Sequence, residues 1–341
     1  MRPWCRAIPL ALFLASALTL LWARGAHTVP LYAARTGRLC GRCHFDPNGG
    51  GPRTEFGFKY ARNRHSLDPE DSTSQWHDLK VVNRLGDNVP IFIGVNQRFM
   101  LVLDGAGQPP PLDRAGFINM ENAFHLTIQP HSKLTLVYTR DGFDEGSTTR
   151  DAFGMIGGGP WESYVKAGRF RTPFGLRLDD HTVATRNSFL DFYSGRSFLP
   201  YDPRMPDMGV EFGFEKNQFF GRAAFTNGQS FLFGSEARAQ AETAKLGYHR
   251  LGYEGAVSIY DDYRGPTSSI ERATRWGYYQ LTNLGPIQLL GEVAAGTDQS
   301  NAGHSTNLLA GYGEVDCAPQ RWLNFRARFD YLALNRAPDA A

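Results

Sequence analysis

From about residue 90 to residue 332 the chain alternates apolar and polar side chains, one for one, in segments broken by turn residues. Ile91, Ile93 and Val95 stand against Asn96 and Arg98, and Phe124, Leu126 and Ile128 against Glu121, His125, Thr127 and Gln129. Leu134, Leu136 and Tyr138 stand against Thr135 and Thr139. Near the end, Leu323, Phe325, Ala327, Phe329 and Tyr331 alternate with Asn324, Arg326, Arg328 and Asp330. Successive side chains of a strand point to opposite faces, so this period of two means one apolar face and one wet face. Some connections are short, as at Pro130-His131-Ser132, Glu215-Lys216-Asn217 and Asn283-Leu284-Gly285-Pro286. Others are long, as at Asp104 to Arg114 and Arg171 to Pro206. Short turns alternating with long loops suit an up-and-down barrel. A soluble sandwich also alternates, with its apolar face inward. Segments of about ten residues, charges in mid-strand on one face and aromatics near segment ends favour a membrane barrel.

Composition agrees with a β-rich chain: 37 glycines and 13% aromatic residues, with a net charge of only +2 that gives no reason to expect a nucleic-acid partner. Arg2 and Arg6, the apolar run from Ala7 to Trp22 and the small-x-small site Ala23-Arg24-Gly25 read as a cleavable export signal. Cys5 would leave with it. Beyond the signal the sequence has no apolar run of the roughly 18 residues that a spanning helix needs.

Just after the signal lies Cys40-Gly41-Arg42-Cys43-His44. C-x-x-C-H is the attachment pattern of c-type haem: two thiols bond the vinyl groups and the adjacent imidazole takes an axial iron position. A zinc site would need a second ligand pair, and there is no second C-x-x-C; a thioredoxin-like motif would follow a strand. The expectation is one covalent haem c on Cys40, Cys43 and His44. Only about forty-five residues separate His44 from the first strand, too few for a cytochrome domain with its own core. The segment is therefore expected inside the barrel or at its periplasmic mouth. Gly49-Gly50-Gly51-Pro52 is read as a flexible turn, Phe56, Phe58 and Tyr60 as porphyrin-packing candidates, and Lys59, Arg62 and Arg64 as propionate-pairing or solvated cations. His65 is the favoured distal iron ligand, ahead of His27, His77 and His125. No Met lies between the motif and residue 100, so a Met ligand would have to come from the barrel wall. Cys317 is expected to be structural.

Leu31-Tyr32-Ala33-Ala34-Arg35-Thr36-Gly37 before the motif, Glu55-Phe56-Gly57 after it, and an alternating chain behind them resemble the fused monohaem cytochrome–porins of the outer membrane, best known as iron-oxidising cytochromes. That resemblance implies one haem c near the barrel interior. It also implies electron passage between an extracellular donor or acceptor, ferrous iron among them, and a periplasmic carrier of cytochrome or cupredoxin type. The stretch from Lys166 to Leu176 is similar to a strand-and-loop pattern of porins that handle anions such as phosphate. The expected fold class is mainly β, an antiparallel outer-membrane β-barrel of roughly 12–16 strands surrounded by lipid, with a short N-terminal haem-c segment. The domains are expected at 1–25 (signal), 26–88 (haem segment) and 89–341 (barrel). The ending Asn335 to Ala341 fits either a truncated chain or a closing strand, Leu323 to Leu332, with a short tail. Arg98, Glu121, Lys133, Arg326, Arg328 and Asp330 are expected to hydrate the lumen and set its field. The function expected is electron transfer; the alternatives are a diffusion porin with a haem-bearing plug and a haem enzyme such as a peroxidase.

Overall fold

A computed structural model describes residues 31–63, 83–85, 90–102, 116–142, 148–176, 183–186, 201–228, 240–263, 270–300, 303–320 and 323–336. Among the described residues fourteen strands form one antiparallel sheet in chain order. They are β1 (Arg84–Leu85), β2 (Ile91–Val102), β3 (Gly116–His131), β4 (Leu134–Asp141), β5 (Thr148–Gly157), β6 (Tyr164–Arg171) and β7 (Pro206–Lys216). The sheet continues through β8 (Phe219–Thr226), β9 (Gln240–Arg250), β10 (Tyr253–Tyr263), β11 (Ile270–Leu284), β12 (Ile287–Ser300), β13 (Ser305–Gln320) and β14 (Leu323–Arg336). This is the mainly β, up-and-down barrel architecture that the alternation predicts. The turns β3–β4, β7–β8, β9–β10 and β11–β12 are tight and lie at one end, while the connections after β2, β6 and β8 are long and lie at the other. Bacterial outer-membrane barrels keep short turns on the periplasmic side and long loops outside. One reading needs correcting: Lys133 is not a lumen residue of a strand but an exposed residue of the β3–β4 turn. The alternation there begins one residue later, at Leu134, because the turn takes both Ser132 and Lys133.

The sheet is inside out relative to a soluble sandwich. Val95, Ile156, Val165, Phe225, Leu246, Val257, Trp276 and Phe329 are exposed on the outer face. Lys166, Glu211, Ser258, Arg275 and Glu292 are buried on the inner face. Arg275 is held there by a two-pronged pair, its Nη1 and Nη2 lying 2.7 and 3.0 Å from the Asp298 carboxylate oxygens. Water would reject such an outer surface, and hydrocarbon accepts it.

Two further pieces of chain occupy the lumen. The first is the start of the β6–β7 connection. Gly175 N donates to Ser258 Oγ at 3.0 Å, Leu176 N to Glu292 Oε1 at 3.1 Å, and Ala184 N to Asp330 Oδ1 at 2.9 Å. The second is the N-terminal segment, with helices α1 (Leu31–Thr36) and α2 (Glu55–Arg62). The two meet, since Leu39 shares a buried cluster with Leu176, Tyr279 and Leu290.

Val257 is 55% exposed on the outer face near the middle of β10, while Ser258 beside it is buried in the lumen. Val257→Arg is expected to destabilise the barrel in lipid by about 2–4 kcal/mol, the cost of a cation at the bilayer midplane. Denaturant unfolding in vesicles measures it; an unchanged midpoint would place this face in water.

Candidate cofactor site at the short-turn mouth

Cys40, Cys43 and His44 sit on a single 3-10 turn, Cys40–Arg42 and the residues that follow it. Both Cys43 N and His44 N donate to Cys40 O, at 3.1 and 2.9 Å. Three potential bonding groups are thus held within one turn of backbone. α2 braces this turn. Its N-cap, Thr54, accepts from Gly57 N at 3.1 Å and donates its hydroxyl to Arg42 O at 2.8 Å, while Thr54 N donates to Cys43 O at 3.0 Å. Capping the helix and fixing the motif are therefore tasks of one residue. Gly57 lies so close that an added Cβ would run into the Cys43 carbonyl. The next turn needs glycine for another reason: Gly49, Gly50 and Gly51 all have positive φ, at 89°, 71° and 63°.

The motif's side chains face different surroundings. His44 opens onto a cavity of about 650 Å³ at the short-turn mouth, walled by Phe45, Phe56, Phe92 and Met155, with Arg42, Arg84 and Lys133 among its polar residues. That volume lies in the usual range for small-molecule sites. Cys40 instead lines a tight gap of about 10 Å³ against Lys245, Glu254 and Tyr279. Burial, and next the facing Glu254, push its thiol up to about 12. The Cys43 thiol is raised as well, by burial, but Arg38, Arg53 and Arg42 pull the other way.

A buried ionic lock holds the segment to the wall. Lys166 Nζ lies 3.2 Å from Asp46 Oδ1 and 3.0 Å from Glu211 Oε2, and all three side chains are buried. Asn48 Nδ2 donates to both Glu211 oxygens, at 3.0 and 2.9 Å, and Tyr164 OH donates to Glu211 Oε1 at 2.6 Å. The ammonium also lies 4.4 Å from the Phe170 ring centroid, a favourable cation–π placement. Phe45, one residue before Asp46, packs with Phe92, Phe153 and Phe170.

Of the other candidates, His27, His65 and His77 lie outside the described residues. His125 is buried in the lumen wall with Nδ1 3.0 Å from Thr139 Oγ1, and it does not line the His44 cavity. Phe56 and Tyr60 stack on each other with centroids 6.4 Å apart, and Arg38 lies over Phe56. Cys317, on β13, pairs across the sheet with Phe325 and Ile287, away from the motif. Among the described residues no cluster of three or more His, Cys, Asp or Glu side chains could hold a metal ion. The alternation assigned Lys166 and Glu211 to no role, and nothing in the sequence pairs them with Asp46.

An apolar outer belt, a polar lumen and short turns opposite long loops define a bacterial outer-membrane β-barrel of the porin type. Among solved structures the chain is similar to the anion-selective porin from Comamonas acidovorans, at a TM-score of 0.53 and 10% identity over 72% of this chain and 79% of that one. The outer membrane channel DcaP of Acinetobacter baumannii also aligns, at a TM-score of 0.46 and 8% identity over 72% and 79% of the two chains. At 10% identity the likeness to the Comamonas porin is one of fold. No protein-family profile and no curated protein sequence matches the chain.

Lys166→Met would leave two carboxylates buried without their cation, a change expected to cost about 3–5 kcal/mol. Arg272→Met, at an exposed pair with Asp261, is expected to cost under about 1 kcal/mol. Thermal unfolding and proteolysis of the N-terminal segment compare them, and equal effects would deny the lock its role. With both thiols free at neutral pH, maleimide is expected to label Cys43 before Cys40, because thiolate is the reacting form. Cys40 should follow only as the pH climbs towards about 12. Peptide mass mapping reads the order, and faster labelling of Cys40 would contradict it.

Proposed function

We propose that this barrel carries one covalent haem c at its short-turn mouth and passes single electrons between an extracellular donor or acceptor and a periplasmic carrier. The observation that carries the reading is a complete C-x-x-C-H turn held in the lumen of an outer-membrane barrel, with its histidine facing a cavity. The residues suit the group in two respects. Two thiols and an imidazole share one turn, which is the donor set of haem c. The cavity at His44 has aromatic walls at Phe45, Phe56 and Phe92 and cations at Arg42, Arg84 and Lys133, suited to an apolar macrocycle with two anionic propionates. Haem c supplies one-electron chemistry when bound.

The chain's own residues do the rest. His44 would hold the haem iron through its imidazole. Phe45 and Phe92, with ring centroids 4.7 Å apart, exclude water from the inner side of the cavity. The Asp46–Lys166–Glu211 lock keeps the turn seated in the wall. Cys40 has to leave its wall of Lys245, Glu254 and Tyr279 to share a macrocycle with Cys43. A site at the short-turn end supports exchange with a soluble periplasmic carrier of cytochrome or cupredoxin type. The β6–β7 connection, anchored on Glu292 by Leu176 N and Thr185 Oγ1, fills part of the lumen beyond it. Such filling favours a conduit over a free diffusion path.

The test is the full-length protein from outer membranes, reconstituted in vesicles. Covalent haem should survive denaturing electrophoresis and vanish in a Cys40→Ala, Cys43→Ala variant. Ferrous iron added outside should reduce the haem in reduced-minus-oxidised spectra. Haem that no impermeant external donor or acceptor can address would overturn the electron-transfer reading. Porin-sized conductance in planar bilayers would favour the diffusion alternative.

A further inference from the structure

The cavity at His44 has a second wall, and it belongs to the barrel. β5 sends Asp151 and Phe153 into the lumen as buried residues and Ile156 outward, at 64% exposure. Met155, in step with Phe153, falls on the lumen side. It packs against the cluster of Phe45, Phe92, Val137, Phe153 and Phe170, and it lines the same cavity as His44. Among the described residues that line this cavity, His44 is the one imidazole and Met155 the one thioether.

The segment itself is fixed relative to β5. Phe45 packs in the same cluster as Phe153. Asp46 binds Lys166, and Lys166 is the direct cross-strand partner of Met155 on β6. The residues after the motif are thus tied to the rung that carries Met155, and His44 and Met155 border one cavity. Lys133, Glu55 and Glu162 also line the cavity, but a charged ammonium is no ligand until it loses a proton, and carboxylates are poor partners for a ferrous low-spin iron. A thioether is soft, neutral and needs no proton loss.

We infer that Met155, from the barrel wall, is the distal axial ligand of the haem iron whose proximal ligand is His44. The inference rests on the proposed haem c at Cys40, Cys43 and His44, and it makes the iron site complete only when the segment is docked in the barrel. His/Met ligation raises the reduction potential relative to two imidazoles. It also fills the coordination position that a peroxidase would need open.

The ferric full-length holoprotein in detergent should show the far-red charge-transfer band of thioether-bound iron, and its ferrous form should not bind carbon monoxide. Met155→Leu should abolish the band, lower the reduction potential and turn carbon monoxide binding from none to stoichiometric. Met155→His should again exclude carbon monoxide, at a potential below that of the unmodified protein. A band missing from the unmodified protein, or one that survives in Met155→Leu, would overturn the assignment; the first of these can be read even if the variants fail to assemble. Haem that is covalent but lacks the Met155 signature defeats this inference alone, whereas a chain that carries no covalent haem defeats the proposed function beneath it.

Discussion

In hydrocarbon, every backbone N–H and C=O has to find its partner within the protein. The antiparallel sheet, each strand bonded to the next in chain order, is the consequence. A second consequence follows for the side chains. The apolar face turns to lipid, so the space enclosed is lined by Lys166, Glu211, Arg222, Arg275 and Glu292. Apolar residues such as Phe92, Phe153, Phe170 and Leu290 share that lining, so whatever occupies the space is held only in part by apolar packing. It has to meet charge with charge and donor with acceptor. Both inserted pieces do so, the N-terminal segment through Asp46 and Asn48, and the β6–β7 connection through Leu176 N and Thr185 on Glu292.

The N-terminal segment shows why the two parts need each other. It is too short to build a core of its own. Its local order comes from within, from the Thr54 cap, the close approach of Gly57 to Cys43, and Gly37 ending α1 in a left-handed conformation. Its surroundings come from the barrel. Phe92, Phe153 and Phe170 pack around Phe45, and Tyr279 and Leu290 around Leu39. The cavity at His44 is therefore shared, with one wall on the segment and the other on β2, β4 and β5.

Burying an ion pair costs desolvation, and Lys166 meets that cost with two carboxylates and an aromatic ring. The same lock ties the residues just after the motif turn to the barrel wall. Asp46 follows His44 by two residues, and Lys166 is the cross-strand partner of Met155.

The alternation of residues such as Phe124, Leu126 and Ile128 with His125, Thr127 and Gln129 was enough to give a β chain with two unlike faces, because side-chain direction in a strand depends only on parity. The motif Cys40 to His44 was legible because its chemistry is local and its spacing is one turn. Parity misplaced Lys133, because the point at which a turn hands over to a strand depends on backbone bonding that parity does not encode. The partners of Asp46, the wall against Cys40 and the place of Met155 were not legible at all. Each depends on which residues of distant strands share a rung and what descends into the lumen, and that is settled by the register of a fourteen-stranded sheet. The sequence determined that there would be a polar lumen and a C-x-x-C-H turn. The tertiary structure decided that the turn would sit in that lumen, with Asp46 on Lys166 and Phe45 on Phe92, Phe153 and Phe170, because those partners lie on strands far from the motif in the chain.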